Sequence, residues 1–250
     1  MDNNLSSKLN TVNDNINMMR DGLGLDRSAS IETVRTKVIE KRKVKPMEFT
    51  FEGHSSGEIE NLDLIDITNH ADLRQMFKGC WEVTNLNAIG EWNVSGVKYM
   101  SHAFDSCRAM KDFSMLNNWN MSGISQMNYA FARCSALEKI ELNWSIDIVT
   151  SIEGMFYQCG KLKEIILPNA TFRSVVYANT TFREANKLEK LDIRSAVFST
   201  RSEIYCSNMF YGVPANCLII VKNDAEKAWI LTQRSDFTNV KTVAEYEATL

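Results

Sequence analysis

The sequence contains no apolar run approaching the roughly 20 residues that a membrane-spanning helix needs. Its first residues, Met1-Asp2-Asn3-Asn4, lack the basic start and apolar core of a secretory leader, so synthesis in a cytoplasm without a signal peptide is expected. Charge of one sign is not in excess either. The net charge is −3, which gives no electrostatic case for nucleic acid or for insertion into an anionic membrane. One short basic cluster, Lys41, Arg42, Lys43 and Lys45, has no interleaved aromatic residue and reads as a solvated helix end or linker. No Cys-x-x-Cys pair exists, and the three histidines, His54, His70 and His102, are scattered, so no zinc site is expected. Serine elbow, phosphate loop and metal-binding helix motifs are missing. Gly22-x-Gly24 follows no strand and reads as a helix terminator. Asp63, Asp66 and Asp192 invite a paired-carboxylate reading, but solvation of strand edges accounts for them as well. Neither an enzyme nor a cofactor is expected.

What the chain does have is a phenylalanine that returns about every 26 residues: Phe77, Phe104, Phe131, Phe156, Phe182 and Phe210, spaced 27, 27, 25, 26 and 28. Three residues after the first four sits a cysteine, Cys80, Cys107, Cys134 and Cys159. A period of this length marks a solenoid, whose units stack on their neighbours instead of closing their own cores. Cysteines at equivalent repeat positions are expected to form a buried packed column, not disulfides.

Within a unit, Val97, Met100, Phe104, Cys107 and Met110 are spaced 3, 4, 3 and 3, one face of a helix or helical turn. Phe113 and Met115 follow with period 2, which predicts a short strand. The next units repeat this with Ile140 and Leu142, then Ile165 and Leu167, then Leu191 and Ile193. The expected fold is an α/β solenoid, a leucine-rich-repeat-like stack of short strands and helical turns over residues 47–213. Its first strands are expected at Met47 to Phe51 and around Leu62, Leu64 and Ile67. A C-terminal cap over 214–250 would consist of a strand at Leu218 to Val221, a helix at Asp224 to Thr232 capped by Asn223 or Asp224, and a strand at Val240 to Val243. Trp92, Trp119 and Trp144 recur in register. They are read either as part of the buried stack or as a surface contact for sugar.

The N-terminal residues differ. Leu5, Leu9, Val12, Ile16 and Met19 are spaced 4, 3, 4 and 3, the seam of a coiled coil over 1–24. A narrow seam lacking charged pairs suits a homo-oligomer, with a trimer favoured over a dimer by Val12; a helix folded back onto its own domain is the alternative. A short capped helix and linker are expected over 25–46, closed by Pro46.

The run Trp-Asn-Val-Ser-x-Val-x-x-Met-x-x-Ala-Phe-x-x-Cys from Trp92 to Cys107, repeated closely from Trp119 to Cys134, resembles the BspA-like leucine-rich repeats, the Mycoplasma-type repeat of unknown function. The resemblance spans about 60–222 and implies a repeat fold that works by contact. The N-terminal Leu-x-x-x-Leu-x-x-Val-x-x-x-Ile helix is loosely similar to the openings of bacteriophage tail and baseplate accessory proteins. Together these resemblances imply a non-enzymatic virion structural or adhesion protein, located in the virion, associated with other virion proteins and presenting its repeats to a host-surface glycan or protein. A bacterial protein–protein interaction or adhesion module is the alternative, and a glycan-processing enzyme a third.

Overall fold

In the computed structural model, the described residues are 51–250 except 60, 61, 66, 69 and 202, together with Asn17, Arg20 and Ser28. The coiled-coil seam, the basic cluster, the second helix and most of the Met47 to Phe51 strand lie outside them. The repeats form a β-solenoid of short parallel strands and intervening helical turns. Five strands make one sheet in sequential order: β1 (Lys139–Glu141), β2 (Glu164–Ile166), β3 (Lys190–Asp192), β4 (Leu218–Val221) and β5 (Val240–Thr242). All pairings are parallel, and Ile140, Ile165, Leu191, Ile219 and Val240 form one inward row.

The same row continues backwards through Phe113 and Leu86, yet no strand forms there. Asp112 accepts from the Ser114 N–H at 2.8 Å and Asn85 from the Asn87 N–H at 2.8 Å. These turns divert the backbone into the 3-10 segments Ser114–Asn118 and Asn87–Glu91. At the equivalent positions β1 to β3 carry Lys139, Glu164 and Lys190, whose long side chains do not close such a turn. The strand expected at Phe113 and Met115 is thus corrected. So is the one around Leu62, where Leu62–Leu64 is a 3-10 turn.

The helical turn of each unit is a ladder with a two-residue alternation. His102, Phe104 and Ser106 donate their N–H groups to Asn128, Ala130 and Ala132 in the next unit at 2.8, 2.9 and 2.8 Å. The intervening Ala103, Asp105 and Cys107 donate within their own unit to Met100, His102 and Phe104. This division needs left-handed residues two before and two after each phenylalanine: Gln75 and Gly79, His102 and Ser106, Tyr129 and Arg133, Gly154 and Gln158, Thr180 and Glu184, Asn208 and Gly212. The backbone polar groups of the turn are thereby satisfied without a regular helix.

Inside, the phenylalanine rings stack. Phe51, Phe77, Phe104, Phe131, Phe156, Phe182 and Phe210 lie 5.4 to 6.0 Å apart with interplanar angles of 15° or less. Phe237 ends the column edge-on against Phe210. The cap is β4, helix α1 (Asp224–Gln233), β5 and helix α2 (Val243–Glu247). Asn223 caps α1 and Thr242 with Glu245 forms a capping box on α2, an element the periodicity did not predict.

Candidate binding face

The column phenylalanines and the four cysteines are fully buried. Each cysteine also has a polar role. Cys80, Cys107, Cys134 and Cys159 donate their thiols to the carbonyls of Phe51, Phe77, Phe104 and Phe131 in the preceding unit, at 3.0 to 3.3 Å. Among the described cysteines none is in a disulfide. The tryptophans lie inside too. Trp92, Trp119 and Trp144 are 2 to 5% exposed and donate their indole N–H groups to the carbonyls of Leu62, Ile89 and Leu116. The surface-contact reading of these three is therefore corrected: their amphipathic rings tie adjacent units together from within.

The exposed aromatic residues are others: Trp81, Tyr177, Tyr205 and Tyr211 are 47 to 59% exposed, and Tyr99, Tyr129 and Tyr157 are half-buried. The surface of the turn ladder carries Tyr99, Tyr177 and Tyr205 five residues before the column phenylalanine, Tyr129 two before, and Tyr157 and Tyr211 one after. These are six of the seven tyrosines in the chain. Tyr177 and Tyr205 stack at 5.4 Å and remain 47 and 53% exposed. Tyr129 stacks on His102 at 5.0 Å and meets Tyr157 edge-on at 6.2 Å. Its ring occupies the space where a Cβ on Gly154 would lie, 2.2 Å away, so the left-handed glycine makes room for it. Burial raises the phenol pKa of Tyr129, and Glu153 accepts its hydroxyl at 3.3 Å.

Arginines are interleaved with these rings. Arg74 lies over Tyr99 at 5.5 Å, Arg133 over Tyr157 at 6.0 Å, Arg183 over Tyr211 at 5.1 Å and Arg108 over Trp81 at 5.5 Å. Most are locked by carboxylates. Asp105, wholly buried, is bound by Arg133, by His102 Nδ1 at 2.9 Å and by the Ser106 hydroxyl at 3.0 Å. Arg183 meets Glu184, which also accepts from Gln158 at 2.8 Å. A shallow cleft of about 370 Å³ is lined by Arg108, Arg133, Ser135, Gln158, Glu184 and Asn186. The sheet face is different in kind. It carries exposed lysine–glutamate pairs such as Lys163 with Glu138 and Lys139 with Glu141, ordinary solvated charge of small energetic weight.

Among the described residues, the turn-ladder face offers stacked rings and paired charges suited to contact. Among the described residues no group of three or more His, Cys, Asp or Glu is placed to hold a metal ion. Asp192 is buried and bound by Arg194 at 2.5 Å, which raises the Arg194 pKa. It is not paired with Asp63. No described helix is long and apolar enough to cross a membrane. The tyrosine positions were visible in the sequence at fixed offsets from the phenylalanines, but they alternate among three offsets and so escape a search for one recurring column.

A family model described as "Mycoplasma protein of unknown function, DUF285" matches residues 45–169, 71–196 and 139–241. The chain belongs to this family. The DUF285 repeats coincide with the solenoid, and the resemblance read from Trp92 to Cys134 holds at that level. The matches give no support to BspA itself or to phage-tail proteins. The expected virion role and virion location are overturned, because the matched family is a Mycoplasma one of unknown function, which favours the bacterial alternative. No curated protein and no solved structure matches the chain.

Proposed function

We propose that this DUF285 protein is a bacterial, non-enzymatic interaction module that binds a protein partner through the tyrosine face of its turn ladder. The observation that carries the reading is the placement of six of seven tyrosines, with interleaved arginines, on that one face. Tyrosine and arginine dominate the energetics of protein interfaces because they bury large area yet keep a polar end. Tyrosine also loses little side-chain entropy on binding. Here the rings are held beforehand by stacking and by a hydrogen-bonded ladder, which lowers the ordering cost further. The sheet face lacks these features.

The test is site-specific photocrosslinking on intact bacteria and on host cells. A photoreactive phenylalanine replaces Tyr177 or Tyr211 on one face, and Glu141 or Glu164 on the other. Protease-sensitive adducts from the tyrosine face alone are expected. Adducts only from the sheet face would overturn the reading, as would adducts that glycosidases remove and proteases do not. The proposal includes self-association through Leu5, Leu9, Val12, Ile16 and Met19, which would multiply the face. Light scattering on the full chain should give a multimer, and a form starting at Met47 a monomer; a monomer in both cases removes that part.

A further inference from the structure

The cap closes only part of the stack. Trp229 of α1 stacks on Phe198 at 4.7 Å, Phe237 covers Phe210 at 5.4 Å, and Val240 of β5 pairs with Ile219. The apolar columns are thereby covered and the sheet gains a fifth strand, whereas the turn ladder gains no further rung. In the penultimate rung, Thr180, Phe182 and Glu184 donate their N–H groups to the carbonyls of Ser207, Met209 and Tyr211 at 3.0, 2.9 and 2.8 Å. The corresponding N–H groups of the last rung, on Asn208, Phe210 and Gly212, have no acceptor among the described residues. The intervening N–H groups of Met209, Tyr211 and Val213 are used within the turn. Beside the open row lies a cavity of about 370 Å³, lined by Asn208, Phe210, Tyr211, Gly212, Gln233 and Arg234.

We propose that this row is a docking edge for a polypeptide segment of a partner, which adds one rung by presenting three backbone carbonyls at alternate residues. The complement is fixed by the molecule's own inner rungs. There each N–H meets its own carbonyl on a separate residue, so the donors form a row and do not converge on one anion. The charge agrees: the Arg234 guanidinium is occupied by Asp236 and by the carbonyls of Phe210 and Val213, leaving no surplus cation to draw a carboxylate. An unpaired row of main-chain donors is the turn-ladder counterpart of an exposed strand edge, which pairs with extended chains. This edge lies at the end of the array, and the proposal stands or falls independently of the tyrosine face.

The test is amide hydrogen exchange by NMR on the full chain, with a synthetic peptide of its own residues 201–213, which in the chain offers these carbonyls to the preceding rung. At millimolar peptide, exchange at Asn208, Phe210 and Gly212 should slow by about tenfold or more, while Thr180, Phe182 and Glu184 stay unchanged. The variant Gln233→Trp, which fills the cavity, should abolish this protection with inner-rung exchange intact. No added protection by the peptide would overturn the proposal. Equal protection by acetate alone would also overturn it, assigning the row to an anion.

Discussion

Each column cysteine is kept as a protonated thiol by its surroundings. Burial pushes Cys80 and Cys159 up to about 12, and Cys107 and Cys134 well above the ordinary thiol value; Cys217, in the cap, is also raised to about 12. The proton is also structural, since the thiol donates to the phenylalanine carbonyl of the unit before. A group whose pKa is raised by folding contributes stability that is whole below its unfolded value and is lost as pH rises toward its folded one. Stability should therefore be level up to the ordinary thiol pKa near 9 and fall toward 12. Each thiol contributes about 1.4 kcal/mol per pH unit in that window. Urea midpoints measured across it check this, and Cys159→Ala should reduce the slope by one proton; an unchanged slope would contradict the assignment. At neutral pH that substitution should cost only about 1–2 kcal/mol, because Ala185 already fills the equivalent place. A second residue-level expectation concerns Thr180, a β-branched residue held at φ +55°. Asparagine tolerates that region better, so Thr180→Asn should raise the unfolding free energy by about 1 kcal/mol, read by denaturant titration.

Among the elements, similar inward rows give two outcomes, and the flanking polar residue decides between them. Asp112 and Asn85 close side-chain turns; Lys139, Glu164 and Lys190 leave the backbone free for the ladder. Asp112 is exposed, so its removal would ordinarily be near neutral. Because it holds the Ser114 N–H and hydroxyl at 2.8 and 2.7 Å, Asp112→Ala should instead cost about 1 kcal/mol. A denaturation midpoint equal to that of the parent would show that the turn is not what sets the 3-10 segment. This is also where the sequence was hardest to read. Phe113 and Met115 have the period of a strand, and apolar period alone does not register a side chain that competes with the ladder for the next N–H. The 3, 4, 3, 3 spacing likewise suggests a helix, yet left-handed residues on both sides of each phenylalanine send alternate N–H groups to the next unit.

At the scale of the molecule, stability is propagated from unit to unit, as in any array whose repeats contact only their neighbours. The phenylalanine column is the continuous thread of that coupling. Phe131 touches Phe104 and Phe156 at 5.5 and 5.6 Å, so Phe131→Ala removes both couplings and should cost about 3–5 kcal/mol. Phe237 touches the column only at its end. Phe237→Ala should free amide exchange in the last unit while leaving that around Phe104 unchanged. Global loss of protection in the second variant would indicate that the cap, and not the column, holds the array.

The sequence by itself determined the repeat, its register, the identity of the core rings, the strands from β1 onward and the strand, helix and strand of the cap, but not helix α2. These follow from spacing, and spacing is a property of the chain. Only the tertiary structure decided which aromatic residues face water. Trp92, Trp119 and Trp144 recur strictly because each must reach a carbonyl one unit back, and that same requirement takes them inside. The tyrosines recur loosely because three different offsets reach one surface once the turn ladder is formed. The open row at Asn208, Phe210 and Gly212 was equally invisible, because whether an N–H is satisfied depends on what the next unit places opposite it, and there the cap supplies nothing.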